Sequence, residues 1–332
     1  MTAVVTGASG HVGANLVRAL LDRGRKVRVL VHKDQRGFEG LDVEEIQGNV
    51  LNIESLERAF QNAEVVYHMA VYITLQMDEW QMCKSINVDG TRNVVNACLN
   101  TGVRRLIHAS SINALSQEPK DTLINESRPL VNSEQYPPYD RSKAASEREV
   151  TRGIREGLDA VTLNITGALG PYDYRPSIAG KLIIDYIHRK VPAVVTGGSD
   201  WVDVRDIVFG ALQAEKLAPP GSKYLLSGHW IPLYEFGLLV EEVTGIKAPR
   251  IVLPMWLARF GVPFVNIYSR LTNSNPRFTT ISLNALESHR NISHKKATEE
   301  LGYHPRPLRE TIKDTIHWFD ENGYLAQPVK YQ

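Results

Sequence analysis

The stretch Ala3-Val4-Val5-Thr6-Gly7-Ala8-Ser9-Gly10-His11-Val12-Gly13 decides how the rest of the chain is read. It opens as a short apolar strand, and from its end Val12, Leu16, Ala19 and Leu20 recur at helical spacing. Between strand and helix stand three glycines at Gly-x-x-Gly-x-x-Gly spacing. A strand-to-helix turn needs glycine where φ is positive, where backbone must approach a ligand, and where helix packs on strand. The helix amino terminus then offers free N–H groups and the positive end of its dipole to phosphates. Heading a βαβ unit, this turn is expected to hold a dinucleotide through Gly7, Ser9, Gly10, His11, Val12 and Gly13. His11 is expected to contribute by its backbone.

Outward from the turn, short apolar runs alternate with helical patterns. Strands are expected at Ala3–Thr6, Val27–Val31, Val43–Gln47, Val65–Met69, Leu106–Ser110 and Ala160–Ile165. Val88, Val94, Val95 and Cys98 mark one of the intervening helices. Strands alternating with helices imply right-handed crossovers and an α/β, Rossmann-type, doubly wound parallel sheet. After about residue 166 the rhythm breaks at Gly167, Gly170, Pro171 and Pro176. The expected division is a nucleotide-binding domain over 1–166 and a smaller, mostly helical substrate lobe over 167–332. Strand-like Ala193–Thr196 and Trp201–Val204 and a helix over Asp206–Lys216 follow, and the segment near 200–217 returns to the first domain. His294 to Asn322 reads as two short helices joined through Tyr303-His304-Pro305.

The chain has 332 residues, and 38 Lys+Arg against 37 Asp+Glu leave a formal charge of +1. Hydrophobic residues make up 43%, ordinary globular usage that excludes collagen-like or wholly disordered chains. The length exceeds the usual single-core limit of roughly 250–300 residues, which favours two lobes. Balanced charge provides no basic field for nucleic acid. Cys83 and Cys98 are too few for a disulfide framework and lack metal-ligand spacing, so no metal site is expected. A strand at the very start, with no leader pattern, and a reducing compartment make the expected location cytoplasmic. The most apolar stretch, Pro254 to Tyr268, is broken by Arg259 and Asn266 and is short of the ~20 residues of a membrane span. It is read as a buried helix of the substrate lobe, with a membrane-surface patch as the lesser alternative.

Tyr139-Asp140-Arg141-Ser142-Lys143 places a phenol and an amine four residues apart, hence on one helix face. An ammonium there favours tyrosinate, and the phenol can pass a proton to a carbonyl oxygen as hydride arrives. Leu106-Ile107-His108-Ala109-Ser110-Ser111-Ile112-Asn113 adds two serines at the carboxyl end of a strand, where open α/β sheets place ligands. His108 is read as a strand residue with a satisfied ring, and Asn113 as lining the substrate side.

These motifs together resemble the extended short-chain dehydrogenase/reductase superfamily, the NAD(P)-dependent epimerase/dehydratase group. The resemblance runs clearly over about residues 3–210. Gly48-Asn49-Val50 looks like the adenine-side segment, although Asn49 stands where the family more often has Asp. Val66-Tyr67-His68-Met69-Ala70 resembles the loop beneath the cofactor ribose, Asn87-Val88-Asp89-Gly90-Thr91-Arg92-Asn93 the helix after it, and Asp203-Val204-Arg205-Asp206 a late motif. The resemblance implies cofactor contacts from Asn49, Val50, Met69, Ala70, Val71, Asn87 and Lys143, and a triad of Ser111, Tyr139 and Lys143. It assigns Ser110 to packing or to backbone bonds within the sheet. His68 is either near the cofactor or a core residue bonded to backbone.

At the end of the second strand, Val31-His32-Lys33-Asp34-Gln35-Arg36 has His32 where NAD users commonly carry Asp. His32, Lys33 and Arg36 favour a 2′-phosphate, so NADP is the expected cofactor, with NAD possible and Asp34 dissenting. Ile112-Asn113 replace the Asp-Glu pair typical of dehydratases. Ser199 and Asp200 stand where sugar-nucleotide users commonly clamp a diphosphate with Arg. The expected activity is therefore reduction of a ketone or aldehyde of a small organic substrate, dihydroflavonol-reductase-like, through Asn113, Tyr172 and Arg175. The alternatives are a sugar-nucleotide epimerase and a non-catalytic NADP-sensing regulator. Family members pair two helices with their copies, and Ala97, Ala144, Ala145 and Ser146 imply a homodimer built on that face.

Overall fold

The structure, a computed structural model, describes residues 2–120, 122–272, 279–287 and 290–325, with side chains omitted over 264–272. Its strands are β1 (Thr2–Thr6), β2 (Lys26–Val31), β3 (Glu44–Gln47), β4 (Val65–His68), β5 (Arg105–Ser111), β6 (Ala160–Ile165), β7 (Gly167–Leu169), β8 (Val194–Val195), β9 (Gly198–Asp203), β10 (Lys223–Leu226), β11 (His229–Pro232) and β12 (Val252–Leu253). The seven-stranded sheet runs β10-β6-β5-β4-β1-β2-β3, and every neighbouring pair is parallel. This is the doubly wound Rossmann arrangement, extended by β10, which is not among the expected strands. The order reverses between β1 and β4, opening a ligand crevice at their carboxyl ends.

Helices cover both faces, so the strands are apolar on both sides. They are α1 (His11–Leu21), α2 (Ile53–Phe60), α3 (Trp80–Cys83), α4 (Gly90–Thr101), α5 (Pro138–Arg155), α6 (Ile178–Ile187), α7 (Val204–Leu217), α8 (Leu233–Thr244), α9 (Met255–Thr272), α10 (Thr280–Leu286), α11 (Lys295–Leu301) and α12 (Leu308–Glu321). A π turn over Lys84–Asp89 carries α3 into α4. On β1, Ala3 and Val5 pack with Leu16, Val17 and Ile207 of α1 and α7. Val4, between them, points the other way and packs with Leu56, Val94 and Val150 of α2, α4 and α5. A separate core joins Ile183, Phe236, Ile312 and Phe319 of α6, α8 and α12 with Trp201 of β9.

The apolar Pro254–Tyr268 stretch corrects one expectation. Trp256 and Phe260 on α9 are each 69% exposed, while Met255 and Val262 are buried in the second core, so this end of the helix buries one face only. The side chains from Phe264 to Tyr268, Asn266 included, lie outside the described residues. Among those described, no helix is long and apolar enough to cross a membrane.

Candidate active site

The glycine turn is shaped by contact as well as by dihedral. Gly7 has φ 72°, and a Cβ there would meet the Ala70 nitrogen at 2.6 Å. A Cβ on Gly13 would lie 2.1 Å from the Gly7 carbonyl oxygen. Gly10 caps α1 without a side chain, leaving its first N–H groups toward the crevice. Met69 is buried and Val71 exposed where the chain leaves β4 beside this turn. Such a cradle fits a dinucleotide pyrophosphate. His11 does more than lend backbone: its Nε2 lies 3.1 Å from the carbonyl oxygens of both Gly170 and Pro171.

At the end of β2, His32 and Lys33 are exposed. Arg36 does not stand free beside them. It clamps Asp34 through Nε to Oδ1 and Nη2 to Oδ2, both at 3.0 Å, and this pairing holds the carboxyl below the usual carboxylate range. Arg175 reaches the same carboxylate, Nε to Oδ2 at 2.6 Å. Asn49 works locally, its Oδ1 accepting from Leu51 N at 3.0 Å, and Val50 is buried with its carbonyl accepting from Asn93.

Ser111 ends β5, while Tyr139 and Lys143 lie in the first turns of α5. The Ser111 hydroxyl, whose oxygen accepts from Asn113 N at 3.2 Å, acts to lower the Tyr139 phenol. Burial is the larger effect and pushes Tyr139 up to about 12, so the phenol is protonated at neutral pH. The ammonium of Lys143 donates to the Ala109 carbonyl at 2.7 Å, and burial brings its pKa down to about 8. Lys143 is not among the groups that shift Tyr139, whose largest influence is burial. Asn113 Nδ2 donates to Asp140 Oδ1 at 2.9 Å, and burial raises Asp140 to about 7.

A buried polar layer supports this group, and the sequence reading missed most of it. Glu147 Oε1 accepts from Ser110 Oγ at 2.5 Å and from Asn164 Nδ2 at 2.6 Å, while Lys223 Nζ stands 2.6 Å from Oε2. Ser110 is therefore bonded to a carboxylate rather than to backbone. Tyr139, Lys143 and Glu147 form an i, i+4, i+8 stripe, the one signal that could have found Glu147. His68 is a core residue, but its partners are side chains: Thr6 Oγ1 at 2.8 Å and Thr91 Oγ1 at 2.9 Å. Because Thr91 gives its proton to the Asn87 carbonyl, it accepts from His68 Nε2–H, which leaves Nδ1 to accept from Thr6. Burial takes His68 down to about 3, and the neutral ring stacks on His108 at 5.4 Å.

Asn87 is a brace. It pairs with both backbone polar groups of Tyr72 and donates to Ser142 Oγ at 2.8 Å, tying the loop after β4 to α5. Two residues expected at the substrate sit elsewhere. The Tyr172 ring covers the Arg18 guanidinium at 4.2 Å and packs on Trp318, and Arg175 is on Asp34. Asp200 is buried in structural bonds to Thr166 and the Gly228 amide. Ala97, Ala144 and Ser146 are buried within the chain, so of the four small residues only Ala145 is partly open to a partner. The outer face of α4 and α5 instead carries paired Arg92, Glu149 and Arg152.

A dinucleotide turn in a doubly wound sheet, with Ser, Tyr and Lys converging at the end of β5, defines an NAD(P)-dependent enzyme of the short-chain dehydrogenase/reductase type. The family model described as NAD dependent epimerase/dehydratase matches residues 3–225, and the chain belongs to that family. Sterol demethylase protein B of Methylococcus capsulatus is 34% identical over 98% of this chain and all (100%) of its own. The 4-hydroxy-2-methyl-3-oxo-4-farnesyl-3,4-dihydroquinoline-1-oxide ketoreductase of Stigmatella aurantiaca is 27% identical over 99% of each chain. The solved structure of gox2253 superposes with a TM-score of 0.86 at 32% identity, covering 98% of this chain and 99% of that one.

Proposed function

We propose that the protein is an NADP-dependent oxidoreductase that reduces a ketone or aldehyde of a small, ring-bearing organic substrate. The observation that carries this reading is the convergence of Ser111 at the end of β5 with Tyr139 and Lys143, one turn apart on α5, the buried phenol being protonated. Bound NADPH supplies the hydride. Ser111 holds the substrate oxygen, and Tyr139 gives it a proton. Lys143, charged below about 8, holds the nicotinamide ribose and helps to restore the phenol proton. Gly7, Gly10 and Gly13 let the backbone approach the pyrophosphate.

Two features favour reduction over sugar-nucleotide epimerisation. Ser199 stands where a diphosphate-clamping Arg is expected, and the neighbouring Asp200 is buried in bonds to Thr166 and Gly228. Relatives named for a sterol and for a dihydroquinoline ketone support an apolar ring as the substrate. Assembly as a homodimer through α4 and α5 belongs to the same reading, its interface lined by the Arg92–Glu149–Arg152 pairs; light scattering at micromolar concentration checks it. The test of function is NADPH oxidation against a panel of cyclic ketones, run beside a UDP-glucose epimerase assay. Ketone-dependent oxidation is expected, and epimerisation without it overturns the reading.

A further inference from the structure

The strap from Gly170 to Arg175 leaves β7, crosses α1 and ends beside the carboxyl end of β2. Nearly every residue of it is tied down. Its first two carbonyls meet His11, and Pro171 O also accepts from Asn15 Nδ2 at 2.9 Å. Tyr174 accepts at its hydroxyl from Arg18 at 2.8 Å, and at its carbonyl from Tyr324 at 2.8 Å and Arg36 at 3.3 Å. Asp173 is buried and accepts from the Ser177 amide at 2.7 Å, which fixes the start of α6. Arg175 is the exception. Its side chain is 67% exposed and, among the described residues, pairs with Asp34 alone, at the Oδ2 that Arg36 Nη2 also reaches.

Two guanidiniums on one anion, three residues past the end of β2, stand where an adenosine ribose meets a Rossmann sheet. A carboxylate between them is also the wrong charge for a 2′-phosphate. The two facts are reconciled if the carboxylate is a placeholder. We propose that Arg175 and Arg36 together take the adenosine 2′-phosphate of NADP, with Asp34 orienting both until the phosphate competes for them. This rests on the reading that NADP is the cofactor, and it moves Arg175 from the substrate to the cofactor. Guanidinium suits the task because its fork matches phosphate oxygens. Since Arg175 ends the strap, capture of the phosphate adds a hold at its exposed end to those already made along Gly170–Tyr174. The fragment common to NAD and NADP makes no such demand.

Calorimetry on the full chain with 2′,5′-ADP and 5′-AMP as probes tests this. Arg175→Ala is expected to weaken 2′,5′-ADP about ten-fold, which is ~1.4 kcal/mol, and to leave 5′-AMP unchanged. Arg175→Lys should recover part of the loss. Hydrogen exchange at residues 172–177 should slow with 2′,5′-ADP, not with 5′-AMP, and not in Arg175→Ala. If wild type prefers 2′,5′-ADP and Arg175→Ala binds it equally well, the role of Arg175 is overturned while the NADP reading stands. If wild type binds both probes alike, the NADP reading fails and this inference with it. Equal protection by both probes overturns the coupling to the strap.

Discussion

The carboxyl ends of β5 and β2 occupy the same rim of one parallel sheet, yet they work in opposite electrostatic regimes. At β5 the groups are buried and mostly neutral. Tyr139 is pushed up, Lys143 and His68 are pushed down, and each polar side chain is set by a partner at hydrogen-bond distance. At β2 the groups are charged, with Arg36 half exposed and Arg175 more so around a carboxylate, Asp34, that the two cover. Charges in a low-dielectric site interact strongly and shift protonation, whereas exposed pairs are screened. The Ser111, Tyr139 and Lys143 group thus lies where water is scarce, whereas Arg36 and Arg175 are open to it. Removing a group at β5 should therefore cost orders of magnitude, and removing one at β2 a factor of ten or less.

The largest effect is expected from Tyr139→Phe. The ring still fills its site, but the proton donor is gone, and kcat should fall by ~10²–10⁴ with NADPH affinity little changed. Single-turnover hydride transfer beside fluorescence-monitored NADPH binding separates the two quantities. Reduction at the wild-type rate would falsify the assignment of Tyr139 as general acid. Lys143→Ala should lower both turnover and cofactor affinity, since one ammonium is asked to serve phenol and ribose. Loss of turnover alone would show that its role at the ribose is wrong.

The pH profile comes next in size. Lys143 loses its proton near 8, lowered by burial, so kcat for reduction should decline as pH rises through that value. The decline should be absent in Lys143→Met, which keeps its residual rate across the range. A wild-type profile flat from pH 7 to 9.5 would mean that the ammonium does not feed the proton step.

How much of this was legible in the sequence follows the same division. The glycine turn could be read because its spacing is set within the turn, where Gly10 and Gly13 both meet the Gly7 carbonyl, although the close approach of Gly7 to Ala70 appears only in the fold. Tyr139 and Lys143 could be read because helical spacing alone puts them on one face. Glu147 continues that stripe, but its meaning depends on Ser110, Asn164 and Lys223, which only the folded sheet brings together. Lys223 lies on β10, a strand of four residues that carries no alternation to announce it. Nothing local to Arg175 says that the strap turns back across α1 to Asp34. Trp256 and Phe260 look like core on composition, and their exposure is decided by where α9 sits.

At β2 the expected effect is smaller. Asp34→Asn releases both guanidiniums and removes the carboxylate that the proposal sets against the 2′-phosphate. The ratio of NADH to NADPH dissociation constants should rise by roughly three- to ten-fold, and less at 0.5 M salt than at 0.05 M because the site is screened. An unchanged ratio at both salt concentrations would show that Asp34 does not face the ribose.

The smallest effect sharpens the comparison at its boundary, where Asp140 lies beside Tyr139 but is itself ionisable near neutrality. Burial raises its folded pKa to about 7, whereas an unfolded Asp titrates near ~3.9. A raised carboxyl pKa means that the folded state binds the proton more tightly than the unfolded chain does. Its contribution to stability is therefore complete below the unfolded value and is lost as pH rises to about 7, after which it is level. Asp140→Asn removes this dependence while keeping an oxygen to accept from Asn113. The variant should unfold at a Tm roughly 2–4 °C above wild type at pH 8, with a smaller difference at pH 5. Thermal melts across that range provide the check. A Tm difference that is constant with pH would mean that the carboxyl is solvated, and the dry region around Tyr139 would then end before Asp140.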